Sequence, residues 1–141
     1  MEIEKLNKLL KGTWTYRSLH DDVDINRPFN DLRFGAGIIE MIEVGYDQII
    51  KASLDMGGEY KLAIKGEIRR SSGAVEGIYF KGEGIKGTPT EGWVYEYFGN
   101  LVYQWENAIE QKYVISGSVI RTVEHGNAPA GYVATFYMVK H

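Results

Sequence analysis

The sequence predicts an all-β fold: an antiparallel up-and-down barrel of about eight strands with a short helix at its N-terminus. After Gly12, apolar residues recur at every second position in one segment after another, which is the period of a half-buried strand. Turn-forming residues separate these segments at short intervals, so neighbouring strands are joined mostly as hairpins. Closing such a meander into a barrel removes the exposed edges of an open sheet.

The composition limits the possible functions. A chain of 141 residues is long enough for one domain, which we expect to span residues 1–141. The net charge of −3 argues against a nucleic-acid partner, because phosphate binding needs clustered Lys and Arg. The lack of cysteine excludes disulfides and thiolate catalysis. Neither a signal-peptide pattern nor a membrane-length apolar run is present, so we expect a soluble cytoplasmic protein with no membrane partner. The oligomeric state stays open.

The first ten residues predict the helix. Ile3, Leu6 and Leu10 follow one another at spacings of three and four, which places them on one helical face. Acidic residues come early and lysines late, as the helix dipole favours. We expect this helix to end at Gly12.

Alternation assigns the interior face of the central strands. Between Tyr60 and Ile68, even-numbered residues are apolar while Lys61 and Lys65 are charged, so the even positions point inward. In the later strand the parity changes, because Glu96 is expected to face water. The residues expected to face the interior are Ile50, Ala52, Leu54, Met56, Tyr60, Leu62, Ile64, Ile68, Ile78, Phe80, Gly82, Gly84, Trp93, Tyr95 and Tyr97.

Glu40 breaks this pattern. The parity of its segment places it on the same face as Phe34, Ala36, Ile38 and Ile42. One interpretation is a catalytic carboxyl group whose pKa is raised by burial, suited to acid–base chemistry. The other is a β-bulge at Gly35 or Gly37 that turns Glu40 to solvent.

The topology of a meander predicts which loops form the mouth. Strands that alternate up and down bring the first, third, fifth and seventh connections to one end. These are 20–31, 56–58, 87–91 and 124–131, and pairing of the last strand with the first makes the loops of His20 and His125 neighbours. We expect the helix and segment 99–111 to cover the opposite end.

Two other motifs bear on metal and nucleotide binding. The loops carrying His20 and His125 also contain Asp21, Asp22, Asp24 and Glu124, which offer nitrogen and oxygen ligands for a metal such as zinc. Acidic loops are commonly just solvated surface, so we predict no metal and no cofactor. The sequence Gly82-x-Gly84-x-x-Gly87 has the dinucleotide-binding spacing but precedes another strand instead of a helix, and therefore lacks a helix N-terminus for pyrophosphate.

The opening strand carries a family resemblance. Gly12-Thr13-Trp14, after a short helix and before a long first loop, resembles the calycin superfamily, of which lipocalins are the familiar members. The segments Trp93–Tyr97, Gly117–Val123 and Ala128–Gly131 look like those of small bacterial calycin-like proteins mostly without assigned function. The resemblance implies that Trp14 closes the barrel floor beneath a basic residue of the last strand. No arginine follows Tyr132, so Lys140 would take that place.

The predicted function is binding of a small hydrophobic or aromatic molecule inside the barrel. Eight strands enclose enough space for side chains or for one small ligand. The predicted ligand-binding residues are Trp14, Tyr16, Phe34, Met56, Phe80, Trp93, Tyr95 and Tyr97. The alternative, by analogy with other barrels of that superfamily, is a cofactor-independent cyclase or isomerase with Glu40 and Tyr97 as catalytic residues. A third possibility is a filled barrel that acts through an outer apolar patch at Ile39, Met41, Ile120 and Thr122.

Overall fold

Eight antiparallel strands form a closed barrel in which each strand pairs with its neighbours in sequence and the last pairs with the first. A computed structural model describes residues 2–45, 47–70 and 76–141. The predicted all-β barrel with an N-terminal helix is confirmed. The elements are α1 (Ile3–Leu10), β1 (Gly12–Leu19), a 3₁₀ turn (Phe29–Leu32), β2 (Arg33–Val44), β3 (Ile49–Asp55), β4 (Lys61–Arg70), β5 (Glu76–Gly84), β6 (Val94–Leu101), β7 (Val114–Val123) and β8 (Val133–Lys140).

The helix closes one end of the barrel, which we call the floor. Leu6 and Leu10 of α1 are fully buried, and the Trp14 indole Nε1 donates a hydrogen bond to the Leu10 carbonyl at 2.9 Å. The Lys140 ammonium lies 5.8 Å from the centre of a Trp14 ring and donates to the carbonyls of Leu9 and Lys11. The expected packing of Trp14 against Lys140 is confirmed, and it ties α1 to the first and last strands.

The connections meet at the two ends as the meander predicts. Residues 20–32, 56–60, 85–93 and 124–132 join strands at the end opposite α1, which we call the mouth. The connection between β6 and β7 lies at the floor end but covers residues 102–113, because β6 continues through Leu101. The turn predicted at Ser71-Ser72-Gly73 lies outside the described residues. No helix in the described ranges is both long and apolar enough to cross a bilayer.

The inward parity predicted for β3 to β6 is confirmed. Leu54, Leu62, Phe80 and Tyr97, one from each of these strands, are all buried. Towards the mouth the predicted residues are less buried: Met56, Gly84 and Trp93 are half-buried, and Tyr60 is 48% exposed. The core therefore fills the floor half of the barrel and continues upward as a lining of side chains.

The parity predicted for β2 is wrong. Ile39 and Met41 are buried, whereas Ile42 is 64% exposed and Glu40 faces solvent. Ser18 pairs with Gly35 but Leu19 pairs with Arg33, so Phe34 is the extra residue of a bulge that shifts the alternation.

Glu40 therefore lies on the outer surface, where the Thr13 hydroxyl hydrogen-bonds its two carboxylate oxygens at 2.7 and 2.9 Å. The buried carboxyl proposed for catalysis is not present. Glu40 faces solvent, as the bulge interpretation expected, but the bulge lies at Phe34 and not at Gly35 or Gly37. The outer apolar patch also fails at Ile39 and Met41, because both side chains are in the core.

Candidate ligand-binding site

A cavity of about 360 Å³ enters the barrel from the mouth. Apolar and aromatic side chains form most of its wall, and Arg121 and His125 are its basic groups. The lining residues are Tyr16, Phe34, Leu54, Met56, Tyr60, Leu62, Trp93, Tyr95, Tyr97, Val119, Arg121 and His125.

Six of the eight residues predicted to bind a ligand line this cavity. Tyr16, Phe34, Met56, Trp93, Tyr95 and Tyr97 all contribute to its wall. Trp14 and Phe80 do not: Trp14 is sealed into the floor, and Phe80 lies behind Tyr97 with its ring centre 6.5 Å away. Both are fully buried core residues, so we correct their expected place in the lining.

A layer of packed rings forms the bottom of the cavity. Tyr16, Tyr97 and Phe136 contact one another with ring centres 5.7 to 5.9 Å apart. Two of the three pairs meet edge to face, which is a favourable arrangement of ring quadrupoles. This layer separates the cavity from the floor residues beneath it.

The two phenols of this layer stay protonated. Burial raises the pKa of Tyr16 to about 12, an effect that hydrogen bonds with Ser18 and Tyr97 only partly oppose. Burial also raises the pKa of Tyr97 well above its usual value, helped by the neighbouring Tyr16 and Tyr95. Tyr97 is therefore protonated near neutral pH, where it can donate a hydrogen bond but cannot act as a base.

Stacked rings border the entrance. The indole of Trp93 lies parallel to the imidazole of His125, with centres 4.2 Å apart and planes inclined by 15°. Tyr60 approaches the other side of the entrance, 6.1 Å from Trp93. Flat side chains at an opening provide contact area for a flat ligand at little cost in conformational entropy.

Arg121 is the buried cation of the site. It is 8% exposed and pairs across the sheet with Tyr95, whose hydroxyl accepts a hydrogen bond from its Nε at 3.0 Å. Its Nη1 donates to the Pro129 carbonyl at 3.1 Å. The rings of Phe34 and Tyr132 lie 5.5 and 5.4 Å from the guanidinium carbon, within cation–π range. In the described ranges it forms no salt bridge.

His125 completes a polar chain at the entrance. Its Nε2 lies 2.8 Å from the Tyr95 hydroxyl. Burial lowers the pKa of His125, and the positive charge of Arg121 lowers it further, so the ring is neutral at pH 7. Because Arg121 already donates to the Tyr95 oxygen, the Tyr95 hydroxyl can give its own proton to Nε2, which places the imidazole proton on Nδ1.

The first connection supports this polar chain from behind. His20 hydrogen-bonds the Tyr132 hydroxyl through Nδ1, and its ring packs on Phe34 with centres 5.2 Å apart. The expected convergence of the His20 and His125 connections at one end is confirmed by these contacts, since Phe34 also meets Tyr95, the partner of His125.

Two acidic residues of the first mouth connection are held by polar neighbours. Asp22 forms a salt bridge with Arg27 at 2.7 Å, and Asp21 accepts a hydrogen bond from Thr135 at 2.7 Å. Within the described residues, no three His, Cys, Asp or Glu side chains are grouped so that they could hold a metal ion.

Sequence reasoning missed Arg121 as a site residue. Ile120 and Thr122 were assigned to the outer surface, and strict alternation then places both Val119 and Arg121 inside. The signal was available, but a charged residue on an inward position is normally discounted. Leu54, Tyr60 and Leu62 were expected inside without being assigned to the site, and His125 was expected only at the rim.

Comparison with models of protein families, with curated proteins and with solved structures finds no match to this chain.

Proposed function

We propose that this protein binds a small, flat, mostly apolar molecule in the cavity at the mouth of the barrel. The observation that carries the proposal is the cavity itself, a space of about 360 Å³ lined by rings and closed below by Tyr16 and Tyr97. Small-molecule sites commonly measure roughly 300–1,000 Å³ and combine apolar walls with a few polar groups. This cavity falls at the lower end, which favours a molecule of one or two rings.

The floor supports a relationship with the lipocalin-like calycins. Trp14 is packed between the helix and Lys140, as the resemblance of the Gly12-Thr13-Trp14 segment implies. We include membership of that superfamily in the proposal. The cytoplasmic location expected from the sequence is also part of this proposal.

A neutral fluorescent dye tests the proposal directly. N-phenyl-1-naphthylamine should bind the protein with increased emission, because the cavity removes it from water. Trp93→Ala, which removes an entrance ring, should weaken dye binding. Trp105→Ala is the matched control, since Trp105 is 70% exposed in the floor-end connection and outside the cavity. No dye binding, or equal weakening by both substitutions, would contradict the proposal. Native mass spectrometry of protein purified from its own host would then identify the ligand.

A second candidate is acid–base catalysis on a substrate in the same cavity, as in a cofactor-independent isomerase or cyclase. One observation favours it: the Tyr95 hydroxyl joins a cation, Arg121, to a neutral base, His125. Tyr95 can pass its hydroxyl proton to Nε2 of His125 while the Tyr95 oxygen takes a proton from the bound molecule, and the reverse transfer returns a proton to another atom of that molecule. The test is incubation with a metabolite extract followed by mass spectrometry. Compounds consumed by the unmodified protein but not by Tyr95→Phe would support an enzyme, and an unchanged extract would favour simple binding.

A further inference from the structure

We propose that the ligand of this cavity carries a single carboxylate group, which pairs with Arg121 at the mouth. This inference rests on the proposed binding function and names the chemical class of the ligand. The ligand would be an aromatic or otherwise flat apolar acid whose body lies toward Tyr16 and Tyr97.

The positive charge of Arg121 has no acidic partner in the described cavity. Arg121 is 8% exposed, and buried charges are normally neutralised by a partner of opposite sign because removal from water is costly. None of the cavity-lining residues in the described ranges is acidic, and none of the salt bridges there includes Arg121. The partners present are a phenol, a backbone carbonyl and ring faces, which hold the cation without cancelling its charge.

Arg121 has more hydrogen-bond donors than the described residues around it accept from. A guanidinium has five N–H groups, and Arg121 uses Nε for Tyr95 and one Nη1 proton for Pro129. Its Nη2 donates to no acceptor in the part of the chain that the structure describes. Three N–H groups are thus unused by the described residues, and a carboxylate accepts two hydrogen bonds in the plane of a guanidinium, so Arg121 has enough free donors for this group.

Arg121 is held in a fixed position by its backbone and by the rings around it. Its backbone N–H donates to the Tyr132 carbonyl at 2.9 Å, and its own carbonyl accepts from Gly131 at 2.7 Å. The rings of Phe34, Tyr95 and Tyr132 surround the guanidinium. A cation held in place before binding gives more net affinity than a mobile one, because little side-chain freedom is lost.

The neighbouring groups favour one negative charge over two. His125 is neutral and, with Nε2 engaged by the Tyr95 hydroxyl, offers only its Nδ1–H as a donor. The Tyr95 hydroxyl is hydrogen-bonded to both basic residues. No second permanent cation lines the described cavity, so a doubly charged phosphate would be poorly balanced. A carboxylate is neutralised by Arg121 alone.

A matched pair of ligands tests the inference on the unmodified protein. 2-Naphthoate and its neutral isostere 2-naphthamide are compared by displacement of N-phenyl-1-naphthylamine at pH 7.5 and low salt. We expect naphthoate to displace the dye at a concentration at least about tenfold lower than naphthamide does. This difference corresponds to the contribution of a charge-assisted hydrogen bond. Equal displacement by the two compounds, whether strong or absent, would overturn the carboxylate proposal.

Substitutions then locate the preference. Arg121→Met should abolish the preference, so that naphthoate and naphthamide displace the dye at the same concentration, whatever the affinity of this variant for the dye itself. Arg33→Met removes the same charge from an exposed position outside the cavity and should leave the preference intact. Arg121→Lys keeps the charge without the planar fork and should retain only part of the preference, which keeps the test informative if the Met variant is poorly folded.

The outcomes separate the two proposals. Failure of the dye to bind the unmodified protein would contradict the binding function. Dye binding without a preference for the acid would contradict only the role of Arg121. A preference that survives in Arg121→Met also contradicts that role, because the charge would then be recognised elsewhere.

Discussion

The two ends of the barrel contain similar residues, which differ in how deeply they are buried and in how many of their hydrogen-bond donors have acceptors. Each end has a tryptophan and a cation. At the floor, Trp14 is fully buried and Lys140 donates to two helix-end carbonyls. At the mouth, Trp93 is half-buried beside an open cavity, and Arg121 retains unused donors among the described residues.

Under the proposed binding function, this difference would separate stability at the floor from binding at the mouth. The helix α1 supplies the carbonyls and leucines that complete the floor. Folding therefore fills the floor and pairs the Lys140 ammonium without any ligand. No corresponding helix lies over the mouth in the described ranges, and the groups there are held by neighbours that leave one side open. Substitutions at the floor should therefore change stability, and those at the mouth should change affinity.

The largest expected effect is at the floor tryptophan. Trp14→Ala should lower the free energy of unfolding by about 3 kcal/mol or more, because it removes a fully buried ring and leaves a void under Lys140. Trp93→Ala, the corresponding change at the mouth, should cost clearly less. Urea denaturation followed by circular dichroism measures both values. Similar losses in the free energy of unfolding for the two variants would contradict the proposal that the floor, rather than the mouth, determines stability.

The floor cation should have the next largest effect. Lys140→Met should lower the free energy of unfolding by about 1–2 kcal/mol, since the carbonyls of Leu9 and Lys11 lose their donor. Lys86→Met is a suitable control because Lys86 is exposed in a mouth connection. A loss in the control as large as that in Lys140→Met would show that total charge, rather than the floor contact, is responsible.

His125 should make stability depend on pH. Burial and the charge of Arg121 lower the pKa of His125 in the folded state. As pH falls through about 6.5, the unfolded chain gains a proton that the folded protein resists, so the urea midpoint should decrease. His125→Gln should flatten this decrease, while His141→Gln, at an exposed position, serves as the control. An unchanged pH dependence in His125→Gln would contradict the assignment of a neutral, partly buried ring.

The smallest expected effect is at Glu40. Glu40→Gln should change the free energy of unfolding by no more than about 0.5 kcal/mol and leave dye affinity unchanged, because the carboxylate lies outside the barrel with Thr13. Urea denaturation and dye titration measure these effects. A marked loss of binding would place Glu40 closer to the cavity than the bulge at Phe34 allows.

Much of the fold follows from local patterns in the sequence. Alternation between Tyr60 and Ile68 is regular because one strand face meets the core and the other meets water, and no bulge interrupts it. The mouth loops follow from connectivity alone, which does not depend on side-chain detail. The floor was anticipated through the resemblance at Trp14, with Lys140 in place of an arginine.

The failures have two physical causes. A bulge changes parity without a unique local signal, since Gly35, Gly37 and Phe34 are all compatible with a regular strand, and Glu40 was therefore misplaced. Arg121 was missed because its burial depends on Phe34, Tyr95 and Tyr132, which come from different strands and loops. Such a cage is a tertiary property that periodicity does not contain.

The ring layer of Tyr16, Tyr97 and Phe136 also limits how long a guest molecule can be. With a charged end fixed near Arg121, the distance to these rings determines how many carbon atoms can be seated, and a longer chain would have to remain outside or displace the layer. The protein would therefore discriminate among homologous acids by length. Exchange of a bottom ring for a smaller side chain offers evolution a simple way to admit longer ones.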